Sequence, residues 1–97
     1  MQGSTGSQRL TADGAVGPSG VPIRVWNVEH LNDTSAGELV LRNGTAATDT
    51  VYVKKNGVTV SDTDTFNWAR GILFPAGCFF DKDTNTVAVV VTFEVEL

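Results

Sequence analysis

From residue 21 onward, apolar and polar residues mostly alternate with a period of two. The clearest stretch closes the chain: in Val87–Glu96 (VAVVVTFEVE), Val87, Val89, Val91, Phe93 and Val95 share one side, and Ala88, Val90, Thr92, Glu94 and Glu96 share the other. Shorter runs precede it. Val21–Leu31 (VPIRVWNVEHL) carries Pro22 near its start, where a strand tolerates proline. Glu38–Arg42 places Leu39 and Leu41 together, Thr50–Lys54 places Val51 and Val53 together, and Thr65–Arg70 does so for Phe66 and Trp68. Ile72–Phe74 and Cys78–Phe80 are short apolar runs. Turn-forming residues separate these runs at Asn32–Gly37, Asn43-Gly44, Asp62–Asp64, Pro75–Gly77 and Asp81–Asn85. Asn56-Gly57 predicts a tight hairpin leading into Val58–Val60.

No window keeps a helical period over ten residues free of Gly, Pro or Asn-Gly. Fourteen Val and twelve Thr favour pleated structure. Seven to eight strands, with a turn signal every eight to twelve residues, predict an all-β fold: an antiparallel β-sandwich or jelly roll. The expected core is Leu39, Leu41, Val51, Val53, Phe66, Trp68, Val89, Val91 and Phe93.

Residues 1–20 read differently. They hold five of the ten glycines, together with Pro18, and few large apolar residues: Met1, Leu10 and Val16. Such a segment does not repay its ordering entropy by burial of its own. It reads either as a loose terminus or as an extended arm that orders against a neighbour, with Gln8–Thr11 able to add a short strand. The division expected is therefore a flexible Gly/Ser-rich arm over 1–20 and a sandwich body over 21–97.

Two strands carry apolar residues on both faces. In the first, Ile23 and Val25 lie on one side and Trp26 and Val28 on the other; in the last, Val90 interrupts the polar side. A small sandwich has one interior, so a second apolar face predicts burial by another subunit. Arg9, Leu10 and Val16 of the arm, with Trp26, Val28 and Val90 of the body, are the expected interface residues.

Composition narrows the classes. The chain has 97 residues, 41% hydrophobic and 19% charged, with a net charge of −4. That argues for one small core and against a dedicated nucleic-acid binder or an anionic-membrane anchor. The first twenty residues hold no apolar secretory segment, and no run approaches the length of a membrane span. Asn32-Asp33-Thr34 and Asn43-Gly44-Thr45 match the glycosylation pattern but read as turns.

The residues offer little chemistry. His30 is the one histidine and sits in a strand pattern, where it reads as a surface residue. Cys78 is the one cysteine, in an apolar setting that disfavours a thiolate. Neither a disulfide nor a Cys-based zinc site can form from it alone, and the Gly-rich opening lacks the phosphate-loop pattern. Asp81, Asp83 and Asn85 alternate as a calcium loop begins, but the later positions depart from an EF-hand. They read as a polar turn, with a looser calcium site as the other reading. Trp26, Trp68 and Tyr52 would stack on sugars if exposed; the competing reading is packing. No cofactor is implied and no enzymatic function is expected.

Three stretches, RLTADGAVGPSGVPIRVWNV, GELVLRNGTAATDTVYV and ILFPAGCFFDKDTNTVAVVVTFE, together resemble small virion structural proteins of tailed bacteriophages, of the marine and cyanobacterial phage type. The resemblance covers most of the chain and rests on short turns and strands. It implies a virion component, foremost a capsid decoration (cement) protein that contacts the major capsid protein; a tail, collar or fibre-associated component is the alternative. Three-fold positions on an icosahedral shell would suit a homotrimer. A carbohydrate-binding sandwich is the competing class.

Overall fold

The structure, a computed structural model, describes residues 2–96, with side chains over 6–96. The alternating runs form eight strands: β1 (Gln2–Leu10), β2 (Gly14–Val16), β3 (Ile23–Asn32), β4 (Glu38–Asn43), β5 (Thr50–Asn56), β6 (Thr63–Phe74), β7 (Cys78–Phe80) and β8 (Thr86–Glu96). They make two antiparallel four-stranded sheets, ordered β1-β8-β3-β6 and β2-β7-β4-β5. The chain pairs from its ends inward. Leu10 faces Val89, Gly14 faces Phe80, Ile23 faces Phe74 and Leu41 faces Val53. A long antiparallel ribbon rolled in this way, with alternate strand pairs assigned to opposite sheets, is a jelly roll. The all-β sandwich expected from the periodicity is the fold.

The core lies between the sheets. Ile23, Val25, Val28, Leu39, Leu41, Phe74, Phe80 and Val91 are fully buried there. Five of the expected core residues, Leu39, Leu41, Val53, Val89 and Val91, are buried, and Phe66, Trp68 and Phe93 pack half-buried against them.

The ninth, Val51, is exposed. Leu41 pairs with Val53 and Arg42 with Val51, so Tyr52 is an extra residue, and this bulge turns Val51 to the outer face. The Tyr52 ring instead lies 5.4 Å from that of buried Phe74. The predicted hairpin at Asn56-Gly57 also differs. Val58–Val60 form no strand; the chain crosses there from the second sheet to the first. The runs Thr65–Arg70 and Ile72–Phe74 form one strand, β6, with Gly71 in a bulge, because Ile72 pairs with Val25 and Asn67 with Asn27.

The N-terminal segment is not an arm. β1 runs along β8 and β2 along β7, so residues 2–16 supply one edge strand to each sheet. Leu10 and Val16 belong to the core cluster. The segment is poor in apolar residues because an edge strand needs few; its backbone hydrogen bonds come from neighbours far along the chain. Gly17 ends it in the left-handed region (φ 68), and a Cβ there would lie 2.7 Å from the Phe93 ring.

Deleting residues 1–16 is therefore expected to abolish cooperative folding. Burial of Leu10 and Val16 contributes roughly 1.5–3 kcal/mol each. Their loss, with the uncovering of β7 and β8, approaches the whole stability of a small domain, about 5–15 kcal/mol. Loss of the thermal unfolding transition in near-ultraviolet circular dichroism would accord with this; a truncated chain with a sharp transition would contradict it.

Candidate functional site

The expected interface residues separate into two groups. Leu10, Val16 and Val28 are buried in the core of their own chain and have no surface to offer. The two-faced pattern around Trp26 has a local cause. Val25 pairs with Phe93 and Asn27 with Thr92, so Trp26 is a bulged residue. Val25 and Val28 consequently both point inward, on the same face of β3. Trp26 is half-buried, with the Arg24 guanidinium 6.0 Å from its ring centre. Arg24 also pairs with Glu96 and donates to the Arg70 carbonyl (3.0 Å). The aromatic residues proposed for sugar stacking occupy three settings: Trp26 beside Arg24, Trp68 against the core and Tyr52 against Phe74.

Arg9 and Val90 remain on the surface, and the structure brings them together. Val90 of β8 lies between Arg9 of β1 and Glu29 of β3, with Thr65 of β6 beyond. One row along, Leu31 pairs with Ala88 and Thr63. Between them is a shallow depression of about 120 Å³, lined by Arg9, Glu29, Leu31, Thr63, Ala88 and Val90. On the other side, Ser7 and Thr92 hydroxyls lie 3.2 Å apart and Asn27 bonds to Asn67. This outer face of the first sheet is thus uncharged apart from Arg9 and Glu29 over three rows. Glu29 was not singled out by sequence reasoning, because only the strand register places it beside Val90.

Buried Asp64 and His30 both hydrogen-bond within the fold. Asn32 and Asp64, both buried, tie down the 57–62 crossover. The Asp64 carboxylate accepts from Val58 N–H (2.9 Å), Thr59 Oγ1 (2.8 Å) and Asn32 Nδ2 (2.8 Å). Asn32 Nδ2 also donates to the Thr59 carbonyl (3.0 Å), and its Oδ1 accepts from Gly37 N–H (2.9 Å). Gly57 passes so close that a Cβ would lie 2.2 Å from Asn32 Oδ1. Burial acts to raise the Asp64 pKa, but the donors of Thr59, Val58 and Asn32 outweigh it and hold the carboxyl at about 2.

His30 is fully buried, not a surface residue. Its Nε2 lies 2.7 Å from Thr86 Oγ1, and its Nδ1 has no partner among the described residues. Burial lowers its pKa, against the opposing attraction of Asp64 and Asp83. Cys78 is buried as expected, and desolvation pushes its thiol up to about 12.

The acidic turn is likewise occupied. Arg42 donates to Asp81 (3.0 Å from Nε), and Asp83 Oδ2 accepts from Glu38 N–H (3.3 Å) and Asn85 N–H (3.1 Å). These bonds engage Oδ2 of Asp81 and of Asp83, two of the three residues of the calcium reading. Among the described residues no three His, Cys, Asp or Glu side chains group as metal ligands. The 59–64 and 81–86 turns both bond to Asp33: its carbonyl accepts from Ser61 N–H (2.8 Å), and its N–H donates to the Asn85 carbonyl (2.9 Å).

This network dictates the response to acid. The unfolded His30 titrates near 6.5 and the folded one below it. As pH falls through 6.5, the unfolded chain takes up a proton that the folded chain refuses, and stability drops. The Asp64 contribution is full above pH 3.8 and is lost as pH falls from 3.8 to about 2. It amounts to roughly 2 kcal/mol. Denaturant titrations across pH should therefore show a stability loss beginning near 6.5 that His30→Phe removes, and a second below pH 4 that Asp64→Asn removes. At neutral pH, Asp64→Ala should cost about 2–4 kcal/mol, since it strands several buried donors. An unchanged pH profile in both variants would refute the assignment.

Compared with protein-family models, curated proteins and solved structures, the chain matches none, so the functional reading rests on its own surface and buried groups.

Proposed function

We propose that the protein is a non-enzymatic structural subunit of a bacteriophage virion, a decoration protein that binds the outside of the capsid shell. The observation that carries this reading is the rolled ribbon itself. Every strand, including the Gly-rich first two, is spent on one interlocked body whose outer surfaces are sheet faces. Such a body suits a part that works by contact. Its one imidazole and its one thiol are buried and serve the core. Jelly rolls recur in viral coats and in lectins; that is fold-level analogy, and the phage-like sequence stretches favour the first.

A decoration protein must survive on the outside of a particle. The buried Asn32–Asp64 bonds and the Arg42–Asp81 pair brace the turns that a thin sandwich would otherwise leave loose. Binding is expected to be saturable, with regularly repeated sites on the shell, and to raise the temperature at which the shell releases its genome. Co-sedimentation of purified protein with shells lacking it tests this. Pelleting with tails, or with neither particle, would overturn the shell assignment. Binding to immobilised glycans with a change in Trp emission would favour the carbohydrate reading instead.

A further inference from the structure

We propose that the outer face of the first sheet pairs with the same face of a second copy, about a two-fold axis running along β8. The starting point is the row Arg9–Val90–Glu29, in which an apolar residue lies between one positive and one negative side chain. Both charged residues are exposed, and neither has an ion-pair partner among the described residues. They flank Val90 at one strand spacing on either side, about 4.8 Å.

That arrangement is self-complementary in one orientation. Rotating a second copy by 180° about an axis along β8, then stacking it face to face, sets Val90 on Val90. The same rotation brings each Arg9 over the partner copy's Glu29. A two-fold axis running across the strands would instead oppose Arg9 with Arg9 and Glu29 with Glu29, a repulsive pairing. The charges therefore select one isologous geometry. It keeps the strands of the two sheets nearly aligned, as stacked sheets prefer. It also sets Ser7 of one copy over Asn27 of the other, so polar groups meet polar groups.

The rest of the face fits such a role. Leu31, Ala88 and Val90 line the depression together with Thr63, Arg9 and Glu29, and the neighbouring Ser7, Thr92, Asn27 and Asn67 are uncharged. Interface centres are similarly depleted in charge. β1, β8 and β3 together offer roughly 500 Å² per copy, at the small end of specific interfaces. Pairing is thus expected at micromolar or higher concentration, as suits subunits concentrated on a particle. This two-fold pairing takes the place of the homotrimer as our reading of self-association. It extends the shell-subunit proposal but is measured on the purified protein alone, so either can fail without the other.

Sedimentation equilibrium at low salt, up to about a millimolar, should show a monomer–dimer equilibrium that weakens as salt rises. Arg9→Glu and Glu29→Arg should each weaken it about tenfold or more, because each turns two attractive pairs into repulsive ones. Arg9→Gln should weaken it less. The double variant Arg9→Glu/Glu29→Arg should return to within about threefold of the wild type. Both positions of change, Arg9 and Glu29, are on the surface, and unaltered thermal unfolding verifies the fold. A protein monomeric throughout this range would overturn the proposal. So would association indifferent to the single reversals, or a folded double variant that fails to recover.

Discussion

Pairing of the first strand with the last is the constraint on which the rest of the structure depends. β8 is hydrogen-bonded to β1 on one side and β3 on the other, so it lies inside its sheet. Remove β1, and the strand that carries the most regular apolar face becomes an edge. The second sheet repeats the arrangement, with β7 between β2 and β4. A small chain buries too little surface to waste a strand. Here the residues with the least apolar content are placed where only one side must be paired, and the Val-rich stretch is placed where two sides must be. Residues poor in burial are held by long-range backbone bonds, and that is why composition alone misreads them as an arm.

Local departures from regular pairing settle which side chains are inside. A strict period of two assigns Val25 and Val28 to opposite faces; the bulge at Trp26 brings both into one core. The bulge at Tyr52 acts the other way and expels Val51. Strand identity was legible because alternation and Asn/Asp/Gly-rich turns persist over many residues. The bulges were not, since each is a single inserted residue whose position depends on the neighbouring strand. The inference of a second buried face on β3 failed for that reason. On β8, where pairing around Val90 is regular, the apolar residue on the outer side does lie at the surface.

The polar interior was even less visible in sequence. Nothing local distinguishes His30 or Asn32 from residues of a solvated strand, because their partners lie far along the chain: Thr86 for His30, and Asp64 and Thr59 for Asn32. Buried polar groups are costly unless satisfied. The cost is met here by many donors converging on Asp64, while one His30 nitrogen has no partner among the described residues. The result is a fold whose apolar middle sets its stability and whose polar end fixes where the chain crosses between sheets. Cys78 was legible because it opens a short apolar run, Cys78–Phe80, that forms a core strand.

The same ends-inward order connects folding to the outer face of the first sheet. The β4–β5 pair needs the shortest loop, and β1–β8 closes nearly the whole chain. Loop-closure entropy makes such distant pairing the dearest step unless nearer pairs form first. The Arg9–Val90–Glu29 row spans β1, β8 and β3, so it is assembled only when that outermost pairing is complete. A partly rolled chain has its apolar strands uncovered but lacks the Arg9–Val90–Glu29 row. In the two-fold pairing we propose, recognition through this face is therefore confined to fully folded chains, and a second copy bound there would stabilise the closed ribbon by mass action.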